Sequence, residues 1–304
     1  MPLAMGITEF GSADVLRPIE VPEPVAGRGQ LRVRVKAAGV NLIDCRIRAG
    51  FMNSIYPATF PQVLGNEFAG VVDQVGAGVT GLAVGDEVLG FAFMQSYTEV
   101  LVVGADQIVA KPPTMPWEAA GSLSAVGQTA YHALRTLRVG PGETVLVHAA
   151  AGGVGTVAVQ LARAWGATVI GTASAGNHDY LRSIGAEPVA YGDGLADRVR
   201  SLAPKGVDVA FDAHGGQEAL EVSLELVPDR SRIGTIANFR AAGQHGITML
   251  RSERSAETLA ALTRLYTDGG LRLHVQRTYP LRQAADAHRE AEGGHVRGKL
   301  ALVV

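Results

Sequence analysis

The stretch of this chain best suited to bind a ligand is a glycine-rich turn, HAAAGGVG, at His148 to Gly155. A short apolar run, Thr144 to His148, precedes it and predicts a strand. The apolar spacing from Val154 to Trp165 predicts a helix that begins at the turn. Backbone N–H groups at a helix N-terminus can face a pyrophosphate, and glycines keep Cβ atoms away from the ligand. This strand–turn–helix context predicts a dinucleotide site.

Three positions of the dinucleotide fingerprint correspond to Ala150, Gly152 and Gly155, so alanine replaces the first glycine. Glycines alone are weak support, because a tight strand-to-helix turn needs them whether or not it binds a ligand. Their position between a strand and a helix is the stronger indication. We expect Gly152, Gly153 and Val154 to contact the cofactor.

The end of the second predicted strand, Thr168 to Thr172, bears on which dinucleotide binds. An acidic residue about 20 positions after the fingerprint would hold the ribose 2′-hydroxyl of NAD. The stretch from Gly171 to Ser174 carries no acidic residue. The Ser174 hydroxyl can donate to a 2′-phosphate, which predicts NADPH rather than NADH. Alternatively, Ser174 only caps the helix predicted from Asn177.

Two kinds of pattern divide the chain near Pro116. Before it, strands such as Leu31 to Lys36 alternate apolar and charged residues, and turns separate them. After it, short apolar strands alternate with helices, which is typical of a parallel sheet covered on both faces. These patterns predict an α/β protein with a β-rich domain followed by a doubly wound parallel-sheet domain. A final strand, Lys299 to Val303, closes the chain.

Composition excludes several classes of protein. The 304 residues suffice for about two domains. With 27 basic and 29 acidic residues and a pI near 6.5, the chain lacks the basic footprint of a nucleic-acid-binding protein. A single cysteine, Cys45, excludes an internal disulfide framework and a cysteine-cluster metal site. No signal peptide and no run of about 20 apolar residues is visible, so we expect a cytoplasmic protein without a membrane partner.

Several further segments match one known family. They are the run AGVNLID at 38–44 with Arg48 and Gly50, LGNEFAG at 64–70, VGDEV at 84–88, TAY at 129–131, the turn at 150–155, and RGK at 297–299. Together they are specific, although none is specific alone. The chain resembles the zinc-independent quinone oxidoreductases, the zeta-crystallin-like branch of the medium-chain dehydrogenase/reductase superfamily.

The resemblance implies a fold and an assembly. A GroES-like catalytic domain would comprise residues 1–120 and be completed by 270–304. A Rossmann domain that binds NADPH would comprise residues 121–269. The resemblance also implies a homodimer paired through Rossmann edge strands. The apolar run from Gly246 to Leu250 is a candidate edge, or else an ordinary buried strand.

The resemblance also bears on metal chemistry. Zinc enzymes of the superfamily place a cysteine and a histidine as ligands in two of these motifs, and the matching positions here are Asn41 and Asn66. An amide is a poor zinc ligand, because it has neither thiolate charge nor an imidazole lone pair. We therefore expect no metal. Quinones and enones are electrophilic enough to accept a hydride without one, given binding geometry and a few hydrogen bonds.

The matched motifs supply candidate site residues, each with a structural alternative. Tyr56 would donate a proton to the substrate oxygen, or it is a surface tyrosine beside a proline. Asn41 would bind the nicotinamide end or the substrate oxygen, or it only fixes a loop. Thr129 would contact the nicotinamide, or it is a helix-interior threonine. Lys299 would reach the cofactor, or it only flanks the last strand.

Around the adenosine 2′-phosphate, the resemblance implies Tyr191, with help from Asn177 and His178. Many relatives carry a basic residue where this chain has Gly176, so affinity for the 2′-phosphate is expected to be weaker. His214 follows a predicted strand of the second domain and either contacts a ligand or is structural.

The resulting prediction is an enzyme that reduces quinones or α,β-unsaturated carbonyls by hydride transfer from NADPH, with a small-molecule substrate and no metal. The alternatives are an enoyl reductase in a biosynthetic, polyketide-type pathway and an NADPH-binding protein without catalysis. The first alternative shares every motif with the main prediction, and the two differ only in the shape of the substrate pocket.

Overall fold

The computed structural model describes residues 1–304 and resolves them into two compact units. The first unit comprises Met1–Ala125, Arg254–Thr267 and Leu273–Val304. The second unit comprises Val126–Glu253 and Asp268–Arg272. The first unit thus includes residues 254–267, which the predicted boundaries give to the other domain. Those boundaries, 1–120 with 270–304 and 121–269, remain a prediction.

The chain forms sixteen strands and ten α-helices. The strands are β1 Leu3–Ile7, β2 Arg17–Glu20, β3 Gln30–Val40, β4 Gln62–Val63, β5 Glu67–Val75, β6 Glu87–Phe91, β7 Val100–Gly104, β8 Ile108–Ala110, β9 Thr144–His148, β10 Thr168–Ala173, β11 Glu187–Ala190, β12 Val209–Asp212, β13 Ile233–Thr235, β14 Thr248–Met249, β15 Val275–Pro280 and β16 Lys299–Val303. The helices are α1 Leu42–Arg48, α2 Trp117–Ala120, α3 Leu123–Thr136, α4 Gly153–Ala164, α5 His178–Ser183, α6 Leu195–Leu202, α7 Gln217–Leu226, α8 Phe239–His245, α9 Ala256–Thr267 and α10 Ala284–Glu292.

The first unit is built on two β-sheets. One has the strand order β15-β16-β3-β5-β6-β8, with β7 also paired to β3, and the other has the order β2-β1-β4. Apart from the parallel pair β15–β16, these strands pair antiparallel. The C-terminal strand β16 lies beside β3, so the end of the chain completes the sheet that its beginning forms.

Strand β3 contributes residues to two separate apolar clusters, and its pairing with β5 changes register between the two parts. Leu31, Val33 and Val35 are buried in one apolar cluster, while Ala38 and Val40 are buried in another. The pairing of β3 with β5 shifts register between Val35 and Ala37. A bulge of this kind adds one residue to a strand, so the apolar residues of β3 that join the second cluster carry even numbers, although all four residues from Ala37 to Val40 are buried.

The second unit contains a six-stranded parallel sheet with the order β11-β10-β9-β12-β13-β14. The sheet grows outward from β9 in one direction and from β12 in the other, which is the doubly wound arrangement. An apolar cluster packs helices on the sheet through residues such as Leu146, Ile170 and Leu220. Ligands of such sheets bind beyond the carboxyl ends of the strands, near the point where the winding direction changes.

The edge of this sheet is β14, within the apolar run at 246–250. Both residues of β14, Thr248 and Met249, are half-buried. No helix of the chain has the length and apolar character needed to cross a membrane.

Candidate functional site

The glycine-rich turn of the second unit connects β9 to α4. Ala149 adopts a left-handed conformation (φ 54°), and its N–H donates to the Thr172 hydroxyl at 3.1 Å. Gly155 is required by packing, because a Cβ there would lie against the carbonyl oxygen of Ala149 and 2.7 Å from the Cα of Ala150. The alanine at the first fingerprint position is fully buried, so it fits where the family pattern has glycine.

The N-terminus of α4 has no N-cap side chain that accepts its backbone N–H groups. Its N-cap residue is Gly152, which has no side chain to accept the N–H groups of Gly153 and Val154. Helices that begin in this way satisfy these donors with water or with a ligand. Because the N-terminal end of a helix also carries partial positive charge, a bound phosphate group would be stabilised there. The turn therefore fits the pyrophosphate of a dinucleotide.

Two more predicted cofactor residues lie at the carboxyl ends of neighbouring strands. Ala173, the last residue of β10, pairs with Ala190, the last residue of β11. Ser174 and Tyr191 therefore follow at adjacent positions, and both are exposed. The Ser174 hydroxyl accepts a hydrogen bond from the Asn177 side chain at 3.1 Å. This arrangement places hydroxyl and amide groups at neighbouring strand ends, and the Glu218 carboxylate accepts the N–H of Gly192, the residue after Tyr191, at 2.8 Å.

The remaining predicted residues of the second unit lie elsewhere. Thr129 is half-buried on α3. His214 is exposed after β12, where its Nδ1 accepts the N–H of Gly216 at 3.1 Å. A local hydrogen bond of this kind shapes a turn, which is the structural alternative given for His214.

In the first unit, Asn41 and Lys299 meet at a buried carboxylate. The Nζ of Lys299 donates to Glu67 Oε1 at 3.0 Å, to Asn41 Oδ1 at 2.6 Å and to the carbonyl of Val40 at 2.8 Å. The Asn41 amide donates to Glu67 Oε1 at 2.9 Å. Glu67 Oε2 accepts the N–H of Ala125 at 2.6 Å. All three N–H groups of the Lys299 ammonium are thus used within the protein.

A second buried carboxylate, Asp44, lies in the first turn of α1. It accepts the Asn41 N–H at 2.9 Å, the Tyr97 hydroxyl at 3.0 Å and a short hydrogen bond from the Asn66 amide. The Tyr97 oxygen also lies 3.2 Å from His288 Nε2. Because the Tyr97 proton is given to Asp44, His288 must donate from Nε2. Burial lowers the pKa of His288 to about 3, so this ring is neutral.

Burial raises the pKa of Asp44 to about 6, although its hydrogen bonds and the charge of Lys299 act in the opposite direction. Asp44 is fully buried, so removal from water is the dominant effect on its charged form. The neighbouring Asn66 Oδ1 is also buried and has no hydrogen-bond partner. A donor is therefore missing on one side of this network.

The positions that correspond to zinc ligands do not fit a zinc ion. Asn66 gives its amide N–H to Asp44, and Asn41 uses its amide on Glu67 and Lys299. Neither side chain offers the thiolate or imidazole that Zn²⁺ prefers. No group of three or more His, Cys, Asp or Glu side chains in the chain is arranged to hold a metal ion.

Tyr56 lies in the irregular segment that follows α1 and remains 37% exposed. Its ring packs on Phe93 with centroids 4.7 Å apart. No hydrogen bond within the protein engages its hydroxyl, so the phenol can donate to a ligand. Ile55 and Phe51 nearby are exposed as well, which gives this surface an apolar character.

Four side chains around these residues were not predicted from the sequence: Glu67, Tyr97, His288 and Arg254. Glu67 lies inside the matched segment 64–70, between Gly65 and Gly70, so the family motif itself could have indicated it. Tyr97, His288 and Arg254 lie in segments with no chemical motif. Only folding brings Tyr97 to Asp44, His288 to Tyr97 and Arg254 to Asn66.

Comparison with known proteins supplies the family. Residues 27–105 match the family model described as the alcohol dehydrogenase GroES-like domain. Residues 184–302 match the model described as zinc-binding dehydrogenase. The human synaptic vesicle membrane protein VAT-1 homolog is 32% identical, and the alignment covers 98% of this chain and 85% of that protein.

Two further relatives are informative. The chain is 36% identical to the pikromycin polyketide synthase component PikAII of Streptomyces venezuelae over 97% of its length, but it spans only 8% of that protein. The structure of Escherichia coli quinone oxidoreductase complexed with NADPH superposes with a TM-score of 0.88 at 29% identity, over 99% of this chain and 100% of that one.

The chain therefore belongs to the medium-chain dehydrogenase/reductase superfamily of oxidoreductases. Within it, the chain belongs to the quinone oxidoreductase branch, as its resemblance predicted. The predicted fold class, a GroES-like domain with a Rossmann-type parallel sheet, is confirmed.

The raised pKa of Asp44 predicts a pH-dependent cost to stability. A carboxyl with a folded pKa near 6 and an unfolded value near 4 destabilises the fold as pH rises between those values, by roughly 3 kcal/mol in total. In Asp44→Asn this cost is absent, and a rotated Asn66 amide can present its Oδ1 to the new amide. The free energy of unfolding of Asp44→Asn relative to wild type should rise by about 2 kcal/mol from about pH 4.5 to about pH 7.5, measured by urea unfolding.

Asp14→Asn is the matched control. The Arg289 guanidinium holds the pKa of Asp14 below its usual range, so its charged form stabilises the fold above the unfolded pKa. Replacing Asp14 should therefore change the relative stability with pH in the opposite direction. A difference between Asp44→Asn and wild type that is independent of pH would contradict the assignment of Asp44.

Proposed function

We propose that this protein is a cytoplasmic, NADPH-dependent reductase of quinones or α,β-unsaturated carbonyls that works without zinc. The observation that carries the proposal is the state of the two asparagines at the metal-ligand positions. Both amides are committed to buried carboxylates, while the Tyr56 hydroxyl is unbonded in the chain. Such a site can give hydrogen bonds to an electrophilic substrate but cannot polarise an alcohol through a metal.

The cofactor would be held by residues of the second unit. The N–H groups of Gly153 and Val154, beyond Gly152, suit the pyrophosphate, and Ser174, Asn177 and Tyr191 suit the adenosine 2′-phosphate. Thr129 is the proposed contact for the nicotinamide ring. When bound, the nicotinamide supplies the hydride that the substrate accepts.

Asn41 can take part in this binding in only one way. Its amide N–H groups face Glu67 Oε1 at 2.9 Å and the carbonyl of Gly39 at 3.4 Å, so they are not available to a ligand. Its Oδ1 accepts from Lys299 and keeps a second lone pair. We therefore propose that Asn41 accepts a hydrogen bond from the cofactor's carboxamide. Lys299, whose donors are all used, positions Asn41 rather than touching the cofactor.

Tyr56 is proposed to stabilise the charge that develops on the substrate oxygen. A phenol donor aimed at that oxygen lowers the barrier because it is held in place before the charge appears. The oxygen then takes its proton from this phenol or from solvent, which completes a two-electron, two-proton reduction of a quinone. In an enone, the proton is delivered to the enolate that follows hydride addition at the β-carbon.

An enoyl reductase of a polyketide-type pathway is the second candidate. Its support is the 36% identity to PikAII, a polyketide synthase component. An enoyl thioester and an enone present the same conjugated carbonyl, so both would use Tyr56 in the same way. The third possibility, NADPH binding without catalysis, predicts cofactor affinity and no turnover.

The first test is NADPH consumption by chelator-treated protein with a simple quinone, an open-chain enone and an enoyl thioester. We expect turnover that survives chelation and falls about 100-fold in Tyr56→Phe, because one oxyanion donor is lost. Faster thioester turnover would favour the biosynthetic enoyl reductase. Binding of NADPH without consumption, against all three acceptors, would refute the proposed catalysis.

Cofactor choice is tested by Ser174→Asp. A carboxylate at this position would repel a 2′-phosphate and accept the ribose hydroxyl of NADH. The dissociation constant for NADPH, measured by cofactor fluorescence, should rise by about 10- to 100-fold, while that for NADH should not rise. Ser183→Asp, on the exposed end of α5, is the control for added negative charge. Equal weakening of both cofactors would argue against a 2′-phosphate site at Ser174.

We also propose a homodimer that pairs through β14. Leu250 N–H donates to Thr235 inside the sheet, so the N–H of Met249 points to the open edge. An open strand edge can pair with the same edge of a second copy across a two-fold axis. Light scattering should give twice the chain mass of 31.7 kDa, and Met249→Pro should give the monomer with little change in unfolding midpoint. A monomeric wild type would overturn this proposal.

A further inference from the structure

Arg254 lies next to the proposed substrate surface but belongs to no motif of the sequence. It precedes α9, and its Nη1 donates to the backbone carbonyl of Asn66 at 2.7 Å. The same carbonyl accepts the N–H of Ala92 at 3.3 Å. The next residue, Phe93, packs on Tyr56. The guanidinium and the residue before Phe93 therefore donate to the same backbone carbonyl.

The two buried carboxylates near Arg254 are already satisfied by other donors. Glu67 accepts from Lys299, Asn41 and Ala125, and Asp44 accepts from Asn41, Asn66 and Tyr97. Neither carboxylate hydrogen-bonds Arg254. Charge attraction to both still opposes the effect of burial, which lowers the pKa of Arg254.

The remaining N–H donors of Arg254, on Nε and Nη2, are free to bind a ligand. With Nη1 on Asn66, the edge formed by Nε and Nη2 has no partner in the chain. The Arg254 side chain is half-buried, but Nε and Nη2 are not buried atoms. Both atoms can therefore be reached from solvent. Two parallel N–H groups of a guanidinium match the two oxygens of a carboxylate.

We propose that Arg254 binds a carboxylate on the substrate. The quinone or enone reduced here would then have an apolar part of about the size of an aromatic ring and a separate carboxylate. The Tyr56–Phe93 pair contacts the apolar part, and the Nε–Nη2 edge of Arg254 binds the carboxylate. This inference rests on the proposed function, because it names the substrate class of the same site.

A purely structural role for Arg254 predicts a different outcome. If the guanidinium served only to balance the charges of Asp44 and Glu67, its loss would affect all substrates alike. If it bound an anion, its loss would affect substrates according to their charge. A pair of substrates that differ only in a remote carboxylate separates these two roles.

The experiment uses para-carboxybenzalacetone and its methyl ester, with NADPH and the full chain. Wild type should show a higher kcat/KM for the acid, and Arg254→Met should lower the acid-to-ester ratio by about 10- to 100-fold, the effect of losing a charge-assisted hydrogen bond. Arg254→Lys, which keeps the charge without the fork, should fall between them. Arg282→Met, an exposed arginine of the same unit, is the control and should keep the wild-type ratio.

A second measurement does not depend on turnover. Calorimetry with the saturated acid, para-carboxybenzylacetone, should show binding to wild type that is weakened about 10- to 100-fold in Arg254→Met. The same measurement with NADPH should show no such loss. If NADPH binding weakens instead, the anion bound by Arg254 belongs to the cofactor, and the substrate assignment is overturned.

The outcomes separate the inference from the proposed function. Reduction of both compounds with an acid-to-ester ratio unaffected by Arg254→Met keeps the function and overturns the inference. No reduction of either compound counts against the function, and calorimetry then decides the inference alone. Weakened binding of the saturated acid in Arg254→Met would support it, and equal binding to both proteins would overturn it.

Discussion

The buried ion pair between Glu67 and Lys299 is the constraint on which the first unit depends. Its two side chains are 0% and 3% exposed, so neither charge has access to bulk water. Removing two charges from water is costly, and the attraction between them offsets that cost only when their other hydrogen bonds are satisfied as well. Here Asn41, Val40 and Ala125 provide those bonds. The pair therefore fixes the ends of β3, β5 and β16 and the start of α3 in one arrangement.

The second carboxylate, Asp44, extends this arrangement into α1. Its N–H bond from Asn41 orders the helix start, and its bonds from Asn66 and Tyr97 tie α1 to the segment before β5 and the segment after β6. His288 then connects the network to α10. Asp44 has no cation in direct contact, and burial raises its pKa. At neutral pH the buried charge of Asp44 lowers the free energy of unfolding, while its hydrogen bonds hold the start of α1 in place.

These hydrogen-bond networks also bear on the metal-free reduction that is proposed for the site. Amides occupy the positions where zinc enzymes of the superfamily have metal ligands, and each amide is used to satisfy a buried acid. The interior of the first unit therefore has buried hydrogen-bond networks at the positions that correspond to zinc ligands in the zinc enzymes of the superfamily. The Tyr56 phenol, which packs on Phe93, and the Arg254 guanidinium are the groups that the proposed function uses to bind and orient an electrophilic carbonyl.

Local patterns of the sequence determined most of the elements. The alternation in β3, the apolar runs of β9 and β16, and the glycine-rich start of α4 depend on neighbours a few residues apart, and such patterns can be read from the chain directly. The bulge in β3 could not be read, because it appears only when β3 is paired with β5. Likewise, the placement of α9 in the first unit depends on packing between distant segments.

The candidate site divides in the same way. The sequence proposed Asn41 and Tyr56 through the matched family motifs, and Ser174 and the turn at 148–155 through their position between strand and helix. Only the tertiary structure decided that the Lys299 donors are all consumed by Glu67, Asn41 and Val40, and that Arg254 reaches Asn66 from 188 residues away. The physical reason is that a hydrogen bond depends on the distance and direction between two groups in space, whereas the sequence states only their separation along the chain.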